Sequence, residues 1–374
     1  MESIWKKTAE LPEFHTLTKD IRTKVLIIGG GMAGIPCAYF LQRSGVDYCL
    51  LEADTICSGV TGNTTAKITS QHGLIYDSLI SRAGREIADG YLRANELALK
   101  RYKDLGWLID CDMKEVDSYV FDRMDAEKLK REVAAVMQLG FPAEYVGQGD
   151  LPFETAGAVR FPNQAQFHPL KFVAAIAKNL NIYEHSPVRE MTEYFALTDH
   201  GSVAAEKVIV ATHFPFINRR GSYFVKLYQE RSYVLSLKNT EIPDGIYLEA
   251  KKGGLSLRGY EDTLLLGGIT HRTGKEPDGF EKLREQAKLY FPEAEITGQW
   301  AAQDCMTLDG LPYIGNYSSS TPDLFVAGGF GKWGMTGSML AAMILSDLVQ
   351  EKHNEYSTVF SPSRNMLKPQ LISN

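Results

Sequence analysis

Apolar residues along this chain arrive in three rhythms, and each rhythm marks a different kind of element. The first is the unbroken run. Val25-Leu26-Ile27-Ile28 follows Lys24, and four successive apolar residues read as a strand buried on both faces. Runs of the same kind recur at Tyr48-Cys49-Leu50-Leu51, at 206–212 and at 323–327. The second rhythm is helical. Ile80, Ile87, Tyr91, Leu97 and Leu105 supply an apolar stripe for a helix over 77–105. Further helices are predicted over 125–139, stopped by Gly140-Phe141-Pro142, over 168–177 with His168 as cap, and over 281–290. The third rhythm is short strands between turns, at 118–121, 158–162 (ended by Pro162), 182–188, 231–237, 254–258 and 263–268. Those between 231 and 268 predict an antiparallel sheet in a second domain. Residues 1–20, with Trp5 and Phe14 among polar neighbours, predict a loosely packed surface arm. The polar tail over 351–374 predicts irregular structure.

A chain of 374 residues exceeds what one hydrophobic core usually serves, so two domains are expected. The net charge of -6 argues against nucleic acid or an anionic membrane as partner, since both select basic surfaces. Cysteines 37, 49, 57, 111 and 305 form no C-x-x-C pair and no metal-ligand spacing, which predicts free thiols, no metal and a cytoplasmic setting. The apolar run 339–345 is too short to span a bilayer, and residues 1–14 lack a signal-peptide core.

The chemistry gathers at three glycine-rich places. After the first run, Gly29, Gly31 and Gly34 satisfy G-x-G-x-x-G and open a helix over 35–44, closed by Gly45. In that motif the first glycine permits a tight turn, the second lets backbone approach a pyrophosphate, and the third packs helix on strand. Glu52 follows the second run, where an acid can accept the ribose hydroxyls of an adenosine. A loop rich in small and hydroxylated residues spans 58–73, suited to a second part of the same cofactor. Near the end, the strand over 323–327 leads into Gly328-Gly329-Phe330-Gly331-Lys332-Trp333-Gly334-Met335-Thr336-Gly337 and a long apolar helix. A plain NAD-dependent dehydrogenase would leave this second strand, glycine turn and helix unexplained.

Taken in order, the unit from Val25 to Glu52, the loop Thr64-Thr65-Ala66, the strand 208–212, the block Trp300 to Gly315 and the end 328–348 resemble the D-amino-acid oxidase/glycine oxidase superfamily of FAD-dependent amine oxidoreductases. Within it, Thr61-Gly62-Asn63-Thr64-Thr65-Ala66-Lys67 with Gln71-His72-Gly73 is similar to a bacterial subgroup that often carries a C-terminal Rieske domain. The sequence contains no Cys-x-His…Cys-x-x-His set for such a cluster. The resemblance implies an α/β fold: a Rossmann-like, glutathione-reductase-type FAD-binding domain with an antiparallel-sheet α+β substrate domain. The expected division is 20–76, 150–220 and 300–350 for FAD, and 77–149 with 221–299 for substrate.

The resemblance also implies a layout for FAD, held non-covalently. Its pyrophosphate would lie at Gly29, Gly31, Met32, Ala33 and Gly34, with its ribose at Glu52 and its adenine near Val188. Thr64, Thr65, Ala66 and Lys67 would flank the isoalloxazine, with Ala211 and Thr212 at the end of their strand. Gly329, Gly331, Lys332, Trp333, Gly334, Met335 and Thr336 would flank it from the other glycine turn. Cys305 lies near a position used for covalent flavin attachment in some sarcosine oxidases, but out of register, and reads as a buried thiol. The implied reaction oxidises an amine to an imine, with oxygen or a redox partner as electron acceptor. The alternatives are a glycine, sarcosine or D-amino-acid oxidase, and a flavin module passing electrons to a separate protein.

Two departures from the family bear on substrate. The arginine that holds a substrate carboxylate in glycine oxidases is replaced here by Asp304, and Gly331-Lys332 stands where a second arginine is expected. Losing a bidentate guanidinium removes the best carboxylate clamp available to a protein. An Asp304 facing the site favours a cationic amine or polyamine. An Asp304 paired with a nearby basic residue never meets substrate. Both readings stand on sequence, with Lys332 and Arg258 as the other candidate catalytic groups; Arg258 could bind a carboxylate from a substrate-domain strand.

Overall fold

The computed structural model describes residues 2–217, 221–275 and 278–364, arranged as two sheets with helices against them. In the first sheet, Leu324–Gly328, Ser202–Val210, Ile21–Ile28, Tyr48–Leu51 and Ile182–Tyr183 run parallel in that spatial order. Tyr313–Asn316 closes one edge antiparallel. The run 25–28 is buried on both faces, as its composition demands. Helices Gly34–Arg43 and Gly334–Leu348, which leave the two glycine turns, pack against each other beside this sheet. Both turns therefore open at the carboxyl ends of parallel strands, where α/β folds bind ligands.

The second sheet is larger and mixed. Its order is Glu295–Thr307, Leu227–Lys238, Thr263–Arg272, Ser256–Tyr260, Ile246–Glu249, Lys114–Asp122, Gly157–Gln166 and Lys67–Ile68. Only the pair Ile246–Glu249 and Lys114–Asp122 is parallel. Three strands expected wholly or largely within the FAD-binding unit, Lys67–Ile68, Gly157–Gln166 and Glu295–Thr307, hydrogen-bond in this sheet instead. Strand 158–162 also does not stop at Pro162. It runs to Gln166 because Pro162 and Asn163 form a bulge opposite Asp117, where no ladder N–H is needed.

The helix expected over 77–105 is two, Tyr76–Ala83 and Arg85–Gly106, broken at Gly84 with φ 93. Helices Ala126–Gln138, Pro169–Ala177 and Gly279–Tyr290 form as expected, and His168 Nδ1 caps the second by accepting from Lys171 N–H. The polar tail is irregular through Arg364 but not loose. Phe360 is fully buried and Arg364 forms a two-pronged pair with Asp309 at 2.7 and 2.8 Å. Residues 365–374 lie outside the described residues.

The N-terminal arm departs most from expectation. Ile4–Thr8 is a short helix whose Trp5 is 0% exposed. Its indole lies edge-on to His168 and Tyr260, and the Arg258 guanidinium sits 5.1 Å from its ring centroid. One buried aromatic among polar residues is too weak a pattern to reveal an anchor in sequence. Replacing Trp5 with alanine is expected to cost about 3–5 kcal/mol, the usual range for emptying a buried aromatic site. Urea denaturation measures this; a loose arm would show almost no change.

Candidate functional site

The two glycine turns and the loop 58–67 meet in one cavity of about 480 Å³ between the sheets. At the first turn, glycine is obligatory for steric reasons. A Cβ on Gly29 would lie 2.5 Å from Ala211 O, and one on Gly34 would lie 1.9 Å from Gly29 O. Gly31 faces the cavity, and its only close neighbour for a Cβ is Thr61 Oγ1 at 3.3 Å. Thr61 Oγ1 also accepts from Met32 N–H at 3.1 Å. Glu52 lines the same end; its carboxylate accepts from the N–H of Gly30 at 2.6 Å and of Asp54 at 2.9 Å. Both oxygens keep lone pairs for sugar hydroxyls.

The wall formed by loop 58–67 is fastened from behind at six carbonyls. Lys6 Nζ donates to Ser58 O at 2.7 Å and Ser3 Oγ donates to Gly62 O. Trp300 Nε1 donates to Asn63 O at 3.0 Å and Trp5 Nε1 to Thr64 O at 2.6 Å. The Arg258 guanidinium donates to Thr65 O at 2.5 Å, Ala66 O at 2.6 Å and Phe167 O at 3.0 Å. Arg258 is 1% exposed, and with its Nε donating to Gly259 O at 3.4 Å the guanidinium is committed to backbone acceptors. The expectation that it binds a substrate carboxylate is therefore corrected: it shapes the loop behind the cavity.

Most expected cofactor contacts line the cavity, but not all. Gly29, Gly31, Met32, Ala33, Glu52, Thr64, Thr65 and Lys67 are on its wall, as are Val188, Ala211 and Thr212. So are Gly331, Lys332, Trp333, Gly334 and Met335, at the N-terminus of helix Gly334–Leu348. Four stand behind the wall. Gly34 packs on the first turn, and Ala66 is fully buried with φ 54. A Cβ on Gly329 would strike Thr307 Cγ2 at 2.4 Å. Thr336 Oγ1 donates to Thr69 O at 2.8 Å. Trp333 stacks on His72, an imidazole held between Tyr91 and Thr69 and pushed down to about 3 by burial.

At the far end Asp304 and Lys332 face the cavity and pair with each other at 3.2 Å. Lys332 also donates to Ser232 Oγ and Thr270 Oγ1, both at 3.0 Å, and lies 3.7 Å from Glu230. Sequence reasoning missed Glu230, Ser232, Thr270 and His213. His213 lines the cavity with an Nε2 that lacks a hydrogen-bond partner; burial pushes its imidazole down, and Asp304 pulls the other way. Its place just beyond strand Ser202–Val210, at a strand's carboxyl end, was the available signal. Ser232 and Thr270 offered none, because a bulge around Ile269 (φ 53) brings them together.

Lys67 is the other cation on the wall. Burial, reinforced by Arg258, pushes its amine down to about 7, and the described residues provide it no hydrogen-bond acceptor. Among the described residues no group of three His, Cys, Asp or Glu could hold a metal, and no helix is long and apolar enough to cross a membrane.

An open glycine turn at a parallel strand, an acid at the next strand and a second helix N-terminus over the same cavity define a dinucleotide-binding oxidoreductase. The orphaned His213 Nε2 and the clear space before Gly31 suit a bound flavin dinucleotide. Residues 24–348 match the DAO family of FAD-dependent oxidoreductases. The chain is 36% identical to YhfW of Bacillus subtilis (strain 168), named as a Rieske 2Fe-2S iron-sulfur protein, over 99% of this chain and 77% of that one. It is 25% identical to glycine oxidase of the same organism, over 88% of this chain and 93% of the relative. The crystal structure of glycine oxidase from Geobacillus kaustophilus shares the fold, with TM-score 0.78 and 21% identity over 92% of this chain and 99% of that one. The chain belongs to the DAO family of FAD-dependent oxidoreductases, and its cofactor is FAD.

The Lys67 amine has a measurable consequence for the FAD-free protein. Unfolded, it keeps its proton up to the ordinary value of 10.5; folded, it releases it near 7. Between those values the unfolded chain binds more protons, so this residue makes stability rise with pH. Lys67→Met is expected to raise the melting temperature by several degrees near pH 7 to 8, with the gain shrinking toward pH 10. A gain independent of pH would show that the amine keeps its proton.

Proposed function

We propose that this protein oxidises the C–N bond of a small amine or amino acid to an imine, which water then hydrolyses. The observation that carries this reading is one continuous cavity running from Glu52, past the first glycine turn and Lys67, to the Asp304–Lys332 pair. When bound, FAD accepts the hydride from the carbon beside nitrogen. Gly31, Met32 and Glu52 would hold its pyrophosphate and ribose. The first turn of helix Gly334–Leu348 would favour negative charge on the pyrimidine end of its ring. Cys305 is 1% exposed and off the cavity wall, and burial pushes its thiol up to about 12, which supports non-covalent binding. The substrate amine must be neutral to lose hydride, and the unpartnered Lys67 amine is suited to take its proton.

The preferred substrate is a cationic amine or polyamine. Among the described residues no arginine lines the cavity, so a bidentate carboxylate clamp is missing, and Asp304 stands on the wall. Oxygen or a redox protein takes the electrons. The name of the YhfW relative favours a second reading, in which the flavin serves a separate electron carrier. Five buried, unbonded cysteines support the cytoplasm as its compartment.

An anaerobic titration that follows the flavin absorbance tests both readings, using glycine, sarcosine, D-alanine, putrescine and a γ-glutamylated diamine. Bleaching by the diamines alone, weakened about tenfold or more in Asp304→Ala, is the expected result. Bleaching by the amino acids instead would return the protein to the glycine oxidase type. Rapid oxygen consumption during turnover would count against the electron-carrier reading.

A further inference from the structure

The Asp304 end of the cavity is more than an ion pair. Glu230 and Asp304 are directly opposite one another on neighbouring antiparallel strands. Like charges at such a position repel, and Glu230 is only 2% exposed. Ser232, two residues along and hence on the same face, donates its hydroxyl to Asp304 Oδ2 at 2.8 Å. Thr270 arrives from the third strand through the bulge around Ile269. The result is a cage of oxygens from three strands around one nitrogen. That nitrogen is Lys332 Nζ, whose three donors are met by Ser232, Thr270 and Asp304 at 3.0, 3.0 and 3.2 Å. Glu230 lies at 3.7 Å, and its other oxygen pairs with Lys252 at 3.2 Å.

We propose that this cage is a binding site for a primary ammonium group, and that in the resting protein Lys332 occupies it with its own side chain. The number of acceptors fits the chemistry. A primary ammonium offers three donors, whereas secondary, tertiary and quaternary nitrogens offer fewer and would leave cage oxygens unpaired. Geometry allows exchange. Lys332 reaches the cage on an unbranched stem from the turn at Gly331, which is itself pinned by its N–H to Cys305 O at 2.8 Å. The Lys332 side chain is about one-third exposed, so it can leave toward solvent without moving the backbone. His213 Nε2, unpartnered on the same cavity wall, marks the edge of the space such a ligand would enter.

The inference deepens the amine reading given above and rests on it: the distal ammonium of a diamine displaces Lys332, which leaves the other nitrogen for oxidation. It also leaves the resting Lys332 no free donor for a carboxylate, since all three are engaged.

The test uses FAD-loaded protein and ligands that have no hydrogen on a carbon beside nitrogen, so that binding is read without turnover. Ammonium chloride, against a sodium chloride control, and tert-butylammonium are titrated calorimetrically into wild type, Lys332→Met and Lys332→Gln. Emptying the cage is expected to tighten ammonium binding at least tenfold in both variants. Adding Asp304→Asn to either is expected to abolish the gain. Equal affinities in wild type and in whichever variants keep their flavin, or a gain that survives Asp304→Asn, would overturn the proposal. Because neither ligand can be oxidised, a positive result stands even if no amine in the absorbance titration reduces the flavin, and a negative one leaves that titration free to succeed.

Discussion

Five consecutive carbonyls, from Gly62 to Ala66, point away from the cavity because side chains from distant parts of the chain hold each of them. Peptide groups in a glycine- and threonine-rich loop rotate easily, and each rotation would swap a donor for an acceptor on the wall. Ser3, Trp5, Trp300 and Arg258 remove that freedom. Arg258 is the centre of this arrangement. A guanidinium buried without a carboxylate is costly, and it is kept here by four backbone acceptors and the face of Trp5. The shape of the loop wall and the seating of the N-terminal helix both draw on it.

The rest of the site depends on how the two sheets divide the labour. Parallel strands end together, so their glycine turns and helix N-termini converge on one edge without further design. The larger sheet contributes side chains from the faces of strands that are distant in sequence. There a bulge, rather than a turn, decides which hydroxyls meet. The cross-strand placement of Glu230 against Asp304 is offset by two cations, Lys252 on Glu230 and Lys332 between the two carboxylates, the latter delivered by the second glycine turn. The glycine-turn edge and the larger sheet thus meet at Lys332.

Much of the first sheet was legible in the sequence because its signals are local. A buried strand needs an apolar run, a close-packed turn needs glycine where a Cβ would strike a carbonyl, and both lie within a dozen residues. The same locality explains the misreadings. Gly84 breaks a helix whose apolar stripe continues across it, and Pro162, a strand terminator by local pattern, is absorbed by a bulge. Gly329 and Thr336 were drawn into the site by their neighbours, yet they face Thr307 and Thr69.

The sequence by itself determined the class of cofactor fold, the first glycine turn with Glu52, and the second turn with its helix. These follow from short-range sterics and patterning, which any chain with those residues must obey. Only the tertiary structure decided that Arg258 faces carbonyls instead of substrate, that Trp5 anchors a loop, and that Asp304 shares Lys332 with Glu230, Ser232 and Thr270. Tertiary packing brings those residues together from up to 193 positions apart, and no local pattern encodes which long-range partner a buried charge will find.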